Sequence, residues 1–437
     1  MPERFSMNSV VPSRVVSRTR SRIALLLAAL LASGAAACTE TFEGGDACPS
    51  LCPVRPTAFR DTTIEAVVLD TTVGGFPSLG LSGALLLANR PDTLVTRGVL
   101  RFDILPTSFL PNKGATSESI TTVDSTFLIM PLDTTGDRGT TPITIEAYDV
   151  DTTANDSSQV VVKSLFRADR LLGSATIVPS TVGDTLRIPM SNTILAAKIA
   201  ANTRLRVGLR ITSGAGQLRA IAFQLGAGTP FVRFDPSSDT VYVPIPISPT
   251  TSMEGATADQ NLAYMVYSMV DVGSPTPGTQ TLAVGGFPAY RSYLRFTLPR
   301  SISDSSTIVR AEVLLTQRPS LFGNAADSVA LISMVPTTTT AITDMRRILD
   351  LSADGIFAGL DSTFMVPRDS GQRSINVLSL IRSWSGLQSD VPRAIAFRIS
   401  LEGAQPAELL FFSTEASPAL RPRLRITYLP RTETAIP

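Results

Sequence analysis

Two stretches of the chain alternate between apolar and polar residues with a period of two. In residues 97–106, Phe102 and Ile104 fall on one face of an extended backbone. Residues 291–299 repeat the Leu-Arg-Phe core of that stretch, with Tyr293 on the opposite, more polar face. This period is the signature of a half-buried β-strand. The pattern therefore predicts one strand in each stretch.

The surroundings of the two stretches predict an internal duplication. Residues 206–211 resemble residues 394–399, and residues 229–234 resemble residues 421–426. Both halves continue with strands, one short helical pattern and further strands. Thr, Ser, Val and Pro are abundant and strong helical periods are few, which favours an all-β class. We expect two tandem jelly-roll-like β-sandwich domains.

The order of segments follows from shifts in composition. Small polar residues come before the first strand, and a Pro-rich stretch separates the two halves. The predicted organisation is a signal peptide, a tether, a first sandwich, a linker and a second sandwich, at residues 1–37, 38–58, 59–236, 237–258 and 259–430.

Two short helices are predicted, one in each half. Ser191 or Asn192 is placed to cap the first helix. The second has Asn376 as its cap and Gly386 as its stop. Its apolar face ends at Trp384, the one tryptophan of the chain. Because that face is apolar, core packing of Trp384 is favoured over stacking on a sugar.

The N-terminus has the pattern of an export signal. Several arginines come before an apolar run at residues 23–32, and small residues follow up to Cys38. The run is too short to span a bilayer, which needs roughly 20 residues. Ala35 to Cys38 resembles a bacterial lipobox, with Ala35 where Leu is usual. Ordinary signal peptidase would cut the same bond, so lipidation and plain secretion both stay open.

Cysteine parity favours lipidation. The chain has three cysteines, and Cys48 and Cys52 are close enough to form a small disulfide loop outside the cytoplasm. Lipidation of Cys38 leaves these two as an even pair. Thr39 stands where an inner-membrane retention signal would have Asp. We expect a lipid-anchored chain at the outer membrane or cell surface, with its mature part extracytoplasmic.

Composition limits the chemistry. The net charge is +1 and the chain has no histidine. The charge gives no reason to expect a nucleic-acid partner. The lack of histidine excludes Ser-His-Asp and Cys-His catalysis. Gly-x-Ser-x-Gly, Ser-x-x-Lys and phosphate-loop motifs do not occur. We therefore expect a protein that is not an enzyme.

The second half resembles the DNRLRE-type β-sandwich domain, which is also classed among carbohydrate-binding modules. Three elements carry the resemblance: residues 291–296, the helical turn ending in a tryptophan at 375–384, and residues 421–424. Leu420 replaces the asparagine that usually comes before the last element. The first half is similar chiefly through its Leu-Arg-Phe core. The resemblance implies β-sandwiches that bind carbohydrate without catalysis.

Tyr290 and Tyr293 are the candidate ligand-binding residues. Both belong to the strand that carries the resemblance, and Tyr293 lies opposite its apolar face. An exposed aromatic ring offers a flat apolar surface for a sugar ring, although the same ring can simply cover the sheet.

A short acidic loop is the candidate calcium site. Calcium prefers clustered carboxylate and amide oxygens. The predicted ligands are Asp149, Asp151, Asn155 and Asp156. The loop lacks the glycine and glutamate of an EF-hand, so a plain turn is the alternative.

Three functions remain, and the first is favoured. The protein is expected to be a lipid-anchored binding protein that recognises a polysaccharide without catalysis. The alternative is a structural or protein-interaction component of the cell envelope. A hydrolase with an unrecognised carboxylate pair is a third, less favoured hypothesis.

Overall fold

The computed structural model describes eleven segments of the chain. They are residues 59–65, 67–76, 84–111, 116–135, 138–152, 158–221, 229–236, 245–249, 265–334, 361–384 and 393–431. The predicted signal peptide and tether, with Cys38, Cys48 and Cys52, lie outside the described residues. Asn155, Asp156, Gly386 and most of the predicted linker also lie outside them.

Most described residues are in β-strands. The first fourteen strands are β1 (Arg60–Ile64), β2 (Val67–Phe76), β3 (Ala84–Arg90), β4 (Leu94–Phe102), β5 (Ser108–Phe109), β6 (Glu118–Ser119), β7 (Val123–Asp133), β8 (Ile143–Asp149), β9 (Leu171–Ile177), β10 (Thr185–Pro189), β11 (Leu205–Ser213), β12 (Gly216–Ile221), β13 (Phe231–Pro236) and β14 (Ile245–Ile247). The others are β15 (Val266–Val272), β16 (Thr281–Gly286), β17 (Ala289–Phe296), β18 (Ser306–Arg318), β19 (Val329–Met334), β20 (Asp361–Met365), β21 (Gly371–Asn376), β22 (Ala394–Ile399), β23 (Glu408–Phe412) and β24 (Arg423–Pro430).

Among the described residues, the α-helices are few and short. They are α1 (Gln159–Ser164), α2 (Asn192–Ala200), α3 (Arg300–Ser303) and α4 (Leu378–Ser383). The predicted cap at Ser191 is confirmed, whereas the N-cap of α4 is Val377, one residue after the predicted Asn376. Ser191 Oγ accepts a hydrogen bond from the backbone N–H of Ile194, and Asn376 Oδ1 accepts one from Leu378. None of the helices in the described ranges is long and apolar enough to cross a membrane.

The described residues form two antiparallel sheets of eleven strands each and a small two-stranded sheet of β5 and β6. The N-terminal sandwich has the order β14-β13-β7-β12-β3-β4-β11-β8-β9, with β10 on β7 and β15 on β4. The C-terminal sandwich has the order β1-β24-β18-β23-β16-β17-β22-β19-β20, with β21 on β18 and β2 on β17. The two orders correspond strand by strand. The all-β prediction is confirmed, and the shared order supports the predicted duplication.

Strand pairing crosses the predicted boundary between the halves. β2 pairs along its length with β17 of the C-terminal sandwich, and β1 pairs with β24. In return, β15 pairs with β4 of the N-terminal sandwich. The strands before β3 and before β16 are therefore exchanged. The predicted ranges 59–236 and 259–430 describe stretches of chain and not the membership of the sheets. Both sheets belong to one compact unit, Phe59–Pro437.

Each sheet encloses its own apolar core. Leu100 and Phe102 are buried in the N-terminal core, and Leu294 and Phe296 in the C-terminal core, as the alternation predicts. Ile104 is exposed, because β4 ends at Phe102 and the backbone leaves the sheet. Burying such side chains contributes about 1.5–3 kcal/mol each.

A third apolar cluster joins the two sandwiches. Leu86, Ala88 and Leu94 of β3 and β4 form one side, and Phe287 and Phe322 of the C-terminal sandwich form the other. These two strands have two buried faces, because their inward residues enter the N-terminal core. We call this contact the junction cluster.

Candidate functional site

Tyr293 is buried and not exposed. Its side chain is 4% exposed and packs with Val73 and Phe76 of β2 and with Ala394 and Ala396 of β22. Burial raises the pKa of Tyr293 to about 12. The alternation in sequence correctly placed the Tyr293 ring on the face of β17 opposite the C-terminal core. The expected exposure is contradicted, because the exchanged strand β2 covers that face.

Tyr290 lines a cavity of about 290 Å³ beside the exchanged strand β2. Its ring lies against Gly74 of β2, where a Cβ atom would come within 2.6 Å of a ring carbon. Burial, together with the charge of Glu408, raises the pKa of the phenol. The predicted ligand residue is thus next to a cavity, as a sugar site requires.

Many polar groups of the Tyr290 cavity are already engaged within the protein. Asp70 accepts hydrogen bonds from the backbone N–H and the hydroxyl of Thr414, at 2.7 and 2.8 Å. Thr281 Oγ1 accepts from the Arg318 guanidinium at 2.6 Å. Ser413 donates to the carbonyl of Thr279 at 3.3 Å. The bonds of Asp70 tie β2 to the C-terminal sandwich, and the other two lie within that sandwich, so the cavity wall has a structural role.

The predicted calcium ligands that can be placed are paired with cations. Lys198 Nζ lies 3.0 Å from Asp149 and 3.4 Å from Asp151, and Arg204 Nε lies 2.8 Å from Asp151. Across the described residues, no group of three or more Asp, Glu, Cys or His side chains is placed to hold a metal ion. Calcium binding stays a prediction, and an ion at these carboxylates would have to displace Lys198.

Trp384 follows α4 and is fully buried in the C-terminal core. This confirms the prediction of core packing. Leu380 and Ile381 of the same helix are buried with it. No sugar can stack on this ring in the folded protein.

A second cavity, which we call the junction cleft, opens where the two sandwiches meet. It has a volume of about 370 Å³, and both sandwiches contribute to its walls. Leu218 and Ala220 of β12 enter the N-terminal core. Because side chains alternate along a strand, Gln217 and Arg219 face outward into the cleft.

Hydrogen bonds cross the junction cleft. Gln217 Nε2 donates to Asn324 Oδ1 at 2.9 Å, which links the two sandwiches. Asn324 Nδ2 in turn donates to Asp327 at 3.0 Å. Gln405 Nε2 donates to the carbonyl of Ser328 at 3.4 Å. The cleft is therefore lined by a row of amide and carboxylate groups with defined orientations.

Charges in the cleft are balanced. Arg219 forms an ion pair with Asp133 and donates to Thr135 Oγ1 at 2.6 Å. Burial opposes ionisation of Asp133, but hydrogen bonds from Thr135 and the Arg219 guanidinium outweigh it and lower the pKa. Arg138 donates to the carbonyl of Val182 at 2.8 Å. With Asp327, the cleft has two cations and two carboxylates.

Phe364 supplies an exposed aromatic ring at the cleft. It lies on β20, where the next residue, Met365, enters the core and so directs Phe364 outward. Its side chain is 72% exposed. Leu401 lies in the same wall and is also exposed. A flat apolar surface therefore adjoins the row of polar groups.

The sequence contains little that marks the junction cleft. Phe364 lies in a short strand, and Asn324 and Asp327 lie in a turn, as in many β proteins. Gln217 and Asn324 are distant in the chain and become neighbours only because the outer face of β12 meets the C-terminal sandwich.

Comparisons with known proteins leave the family of this chain open. No family model matches the sequence, and no curated protein matches it. Among solved structures, one of Macrobrachium rosenbergii nodavirus is 9% identical, covering 97% of this chain and 96% of that one, with a TM-score of 0.18. A Penaeus vannamei nodavirus structure is 11% identical, with coverages of 87% and 92% and a TM-score of 0.18.

A two-domain protein of unknown function from Bacteroides fragilis is 7% identical. The match covers 75% of this chain and 94% of that chain, with a TM-score of 0.13. Likenesses at such TM-scores carry no argument about function. The strand pairing itself defines the class: an all-β protein of two jelly-roll-like sandwiches.

Proposed function

We propose that this protein is an extracytoplasmic, lipid-anchored protein that binds a polysaccharide in the junction cleft without catalysis. The observation that carries the proposal is the exposed ring of Phe364 beside oriented amide and carboxylate groups. A sugar ring has an apolar face and a rim of hydroxyl groups. Sites with a few convergent polar groups next to apolar surface suit such ligands.

Charge balance supports a neutral polymer. Two arginines and two aspartates line the cleft, and Arg219 is already paired with Asp133. An anionic polymer would have to disrupt that pair, whereas neutral hydroxyls can donate to and accept from the existing groups. The resemblance of the second half to carbohydrate-binding sandwiches points the same way.

The state of the carboxylates supports a role without catalysis. A glycosidase needs one carboxylic acid whose raised pKa keeps it protonated as a general acid. Asp133 has a lowered pKa and an arginine partner, and Asp327 accepts a hydrogen bond from Asn324. The environment of Asp133 therefore does not favour a proton donor.

A glycan array followed by titration calorimetry tests the proposal. We expect the purified protein to bind a neutral polysaccharide, and Phe364→Ala to weaken binding about 5- to 10-fold through loss of aromatic contact. Phe59→Ala is the matched control, because Phe59 is 64% exposed and does not line the cleft.

Two results would overturn the proposal. One is the absence of binding to every glycan tested. The other is equal weakening by both substitutions. Self-association, or co-purification of a protein partner without glycan, would instead favour the envelope-assembly alternative.

A further inference from the structure

Glu408 and Gln217 occupy equivalent positions in the two sandwiches. Gln217 of β12 pairs with Ala88 of β3, and Glu408 of β23 pairs with Gly285 of β16. Gln217 donates a hydrogen bond to Asn324 across the junction. At the equivalent position the protein has a carboxyl group in place of the amide, and its surroundings differ.

Glu408 is a buried carboxyl group with few partners. Its side chain is 2% exposed. Its Oε2 accepts a hydrogen bond from Ser320 Oγ at 3.2 Å, and its Oε1 has no hydrogen-bond partner among the described residues. A buried carboxylate with one hydrogen bond costs much more free energy than the buried neutral acid. Burial accordingly raises the pKa of Glu408 to about 7.

Among the described residues around Glu408, no cationic side chain pairs with its carboxyl group. Burial raises the pKa of the Tyr290 phenol on β17, and the negative charge of Glu408 raises it further by a smaller amount. Arg318, at the end of β18, has its guanidinium over the Phe412 ring and donates to Thr281. Asp327, in the segment that contains Ser320, accepts from Asn324. Gly286 of β16 carries no side chain, and a Cβ atom built there would lie 2.2 Å from the neutral Ser274 hydroxyl and 3.7 Å from Glu408 Oε1.

The partner of Glu408 is connected to the junction between the sandwiches. Ser320 Oγ, which bonds to Glu408, also accepts the backbone N–H of Phe322 at 3.3 Å. Phe322 belongs to the junction cluster. Two residues further on, Asn324 bonds to Gln217 and lines the junction cleft. Residues 320–328 thus join Glu408 to the junction and to the cleft.

We propose that Glu408 is a proton-operated lock on this junction: its protonated form keeps residues 320–328 packed, and its ionisation loosens them. In the step, the O–H bond of the carboxylic acid breaks and the proton passes to water. The anion left behind draws water towards Ser320, and the contacts of Phe322 and Asn324 weaken. The lock is closed at acidic pH and open at alkaline pH.

The direction of the effect follows from linkage. The pKa of Glu408 is about 7 in the folded protein, against 4.5 for an unburied glutamate. The folded state therefore binds this proton more tightly than an opened state does. The stabilisation is complete below about pH 4.5 and is lost as the pH rises through about 7. For these two pKa values, the equilibrium constant for opening increases roughly 70-fold between pH 5 and pH 8.

Hydrogen–deuterium exchange of the full chain without glycan tests the lock. We expect protection of residues 320–328, after division by the intrinsic exchange rate at each pH, to fall roughly 70-fold from pH 5 to pH 8. Glu408→Gln, which keeps the shape without the acid, should remove this pH dependence. Glu415→Gln is the control, since Glu415 is exposed on the turn after the same strand. It should behave like the parent.

Protection that does not change with pH in the parent, or an unchanged slope in Glu408→Gln, would overturn the proposal. If Glu408→Gln does not fold, infrared spectra of the parent supply the answer. They should show a protonated carboxyl band at pH 5.5 that is lost by pH 8.5, and its absence at pH 5.5 would refute the lock.

The link to ligand binding rests on the proposed function. If the cleft binds a glycan, affinity should fall as the pH rises, and Glu408→Gln should abolish the fall. Because the exchange experiment contains no glycan, failure of the lock and failure of the binding proposal are distinguishable.

Discussion

Thr72 and Ser268 occupy equivalent positions on the two exchanged strands and make the same hydrogen bond. Ser268 Oγ accepts from the backbone N–H of Leu86 at 3.0 Å, and Thr72 Oγ1 accepts from that of Ala283 at 3.2 Å. In each sandwich the hairpin strands pair only near the hairpin end, β3 with β4 and β16 with β17. Backbone N–H groups further along β3 and β16 therefore need another acceptor, which the two hydroxyls supply. The exchanged strands thus satisfy backbone groups that the hairpins leave open.

Removing either hydroxyl should destabilise the protein. We expect Thr72→Val and Ser268→Ala each to lower the free energy of unfolding by about 1–2 kcal/mol, because a buried N–H loses its acceptor. Urea denaturation followed by circular dichroism measures the change. Thr63→Val, at an exposed position of β1, is the control. Losses no larger than that of the control would show that the hydroxyls are dispensable.

Deleting residues 59–76 should damage the distant half of the chain. These residues contain β1 and β2, which pair with β24 and β17. We expect hydrogen–deuterium exchange to show loss of protection mainly in the C-terminal sandwich. If each sandwich were built from continuous sequence, β4 and β13 would lose protection instead. That outcome would refute the strand exchange.

Gly74 must lack a side chain because the Tyr290 ring lies on it. A Cβ atom there would be 2.6 Å from a ring carbon. We expect Gly74→Ala to cost about 1–3 kcal/mol through overpacking, and Tyr290→Ala in the same chain to recover part of that loss. Gly183→Ala is the control, with nothing within 4 Å of its new Cβ. Additive effects of the two changes in thermal denaturation would contradict the contact.

The buried pair of Arg291 and Glu402 should be sensitive to removal of one partner. Arg291 Nε lies 2.8 Å from Glu402 Oε1, and the guanidinium also stacks 4.1 Å from the centre of the Phe76 ring. We expect Glu402→Ala to cost about 3–5 kcal/mol, because it leaves a buried cation unpaired.

Asp369→Ala is the comparison for that pair. It removes a more exposed pair with Arg373 and should cost about 0–1 kcal/mol. Denaturant titration of the two variants gives both values. Similar losses in the two would refute the special role of burial.

The candidate site was only partly predictable from sequence. Alternation correctly placed Tyr293 opposite Phe296, but the burial of Tyr293 depends on β2, which is distant in sequence. The junction cleft combines Gln217 with Asn324, whose contact depends on how two sandwiches pack. A period of two shows which side chains share a face of a strand, but it does not show which other element covers that face.

The sequence by itself determined the alternation of strands such as β4 and β17, the faces of these strands that enter the two cores, and the cap at Ser191. These features depend on side-chain direction and on hydrogen bonds within a few residues. Tertiary structure decided which sandwich receives β2 and β15, because many strands share the same alternation and any of them could pair. The choice depends on packing and on hydrogen bonds such as those of Thr72 and Ser268, which form only when distant segments meet.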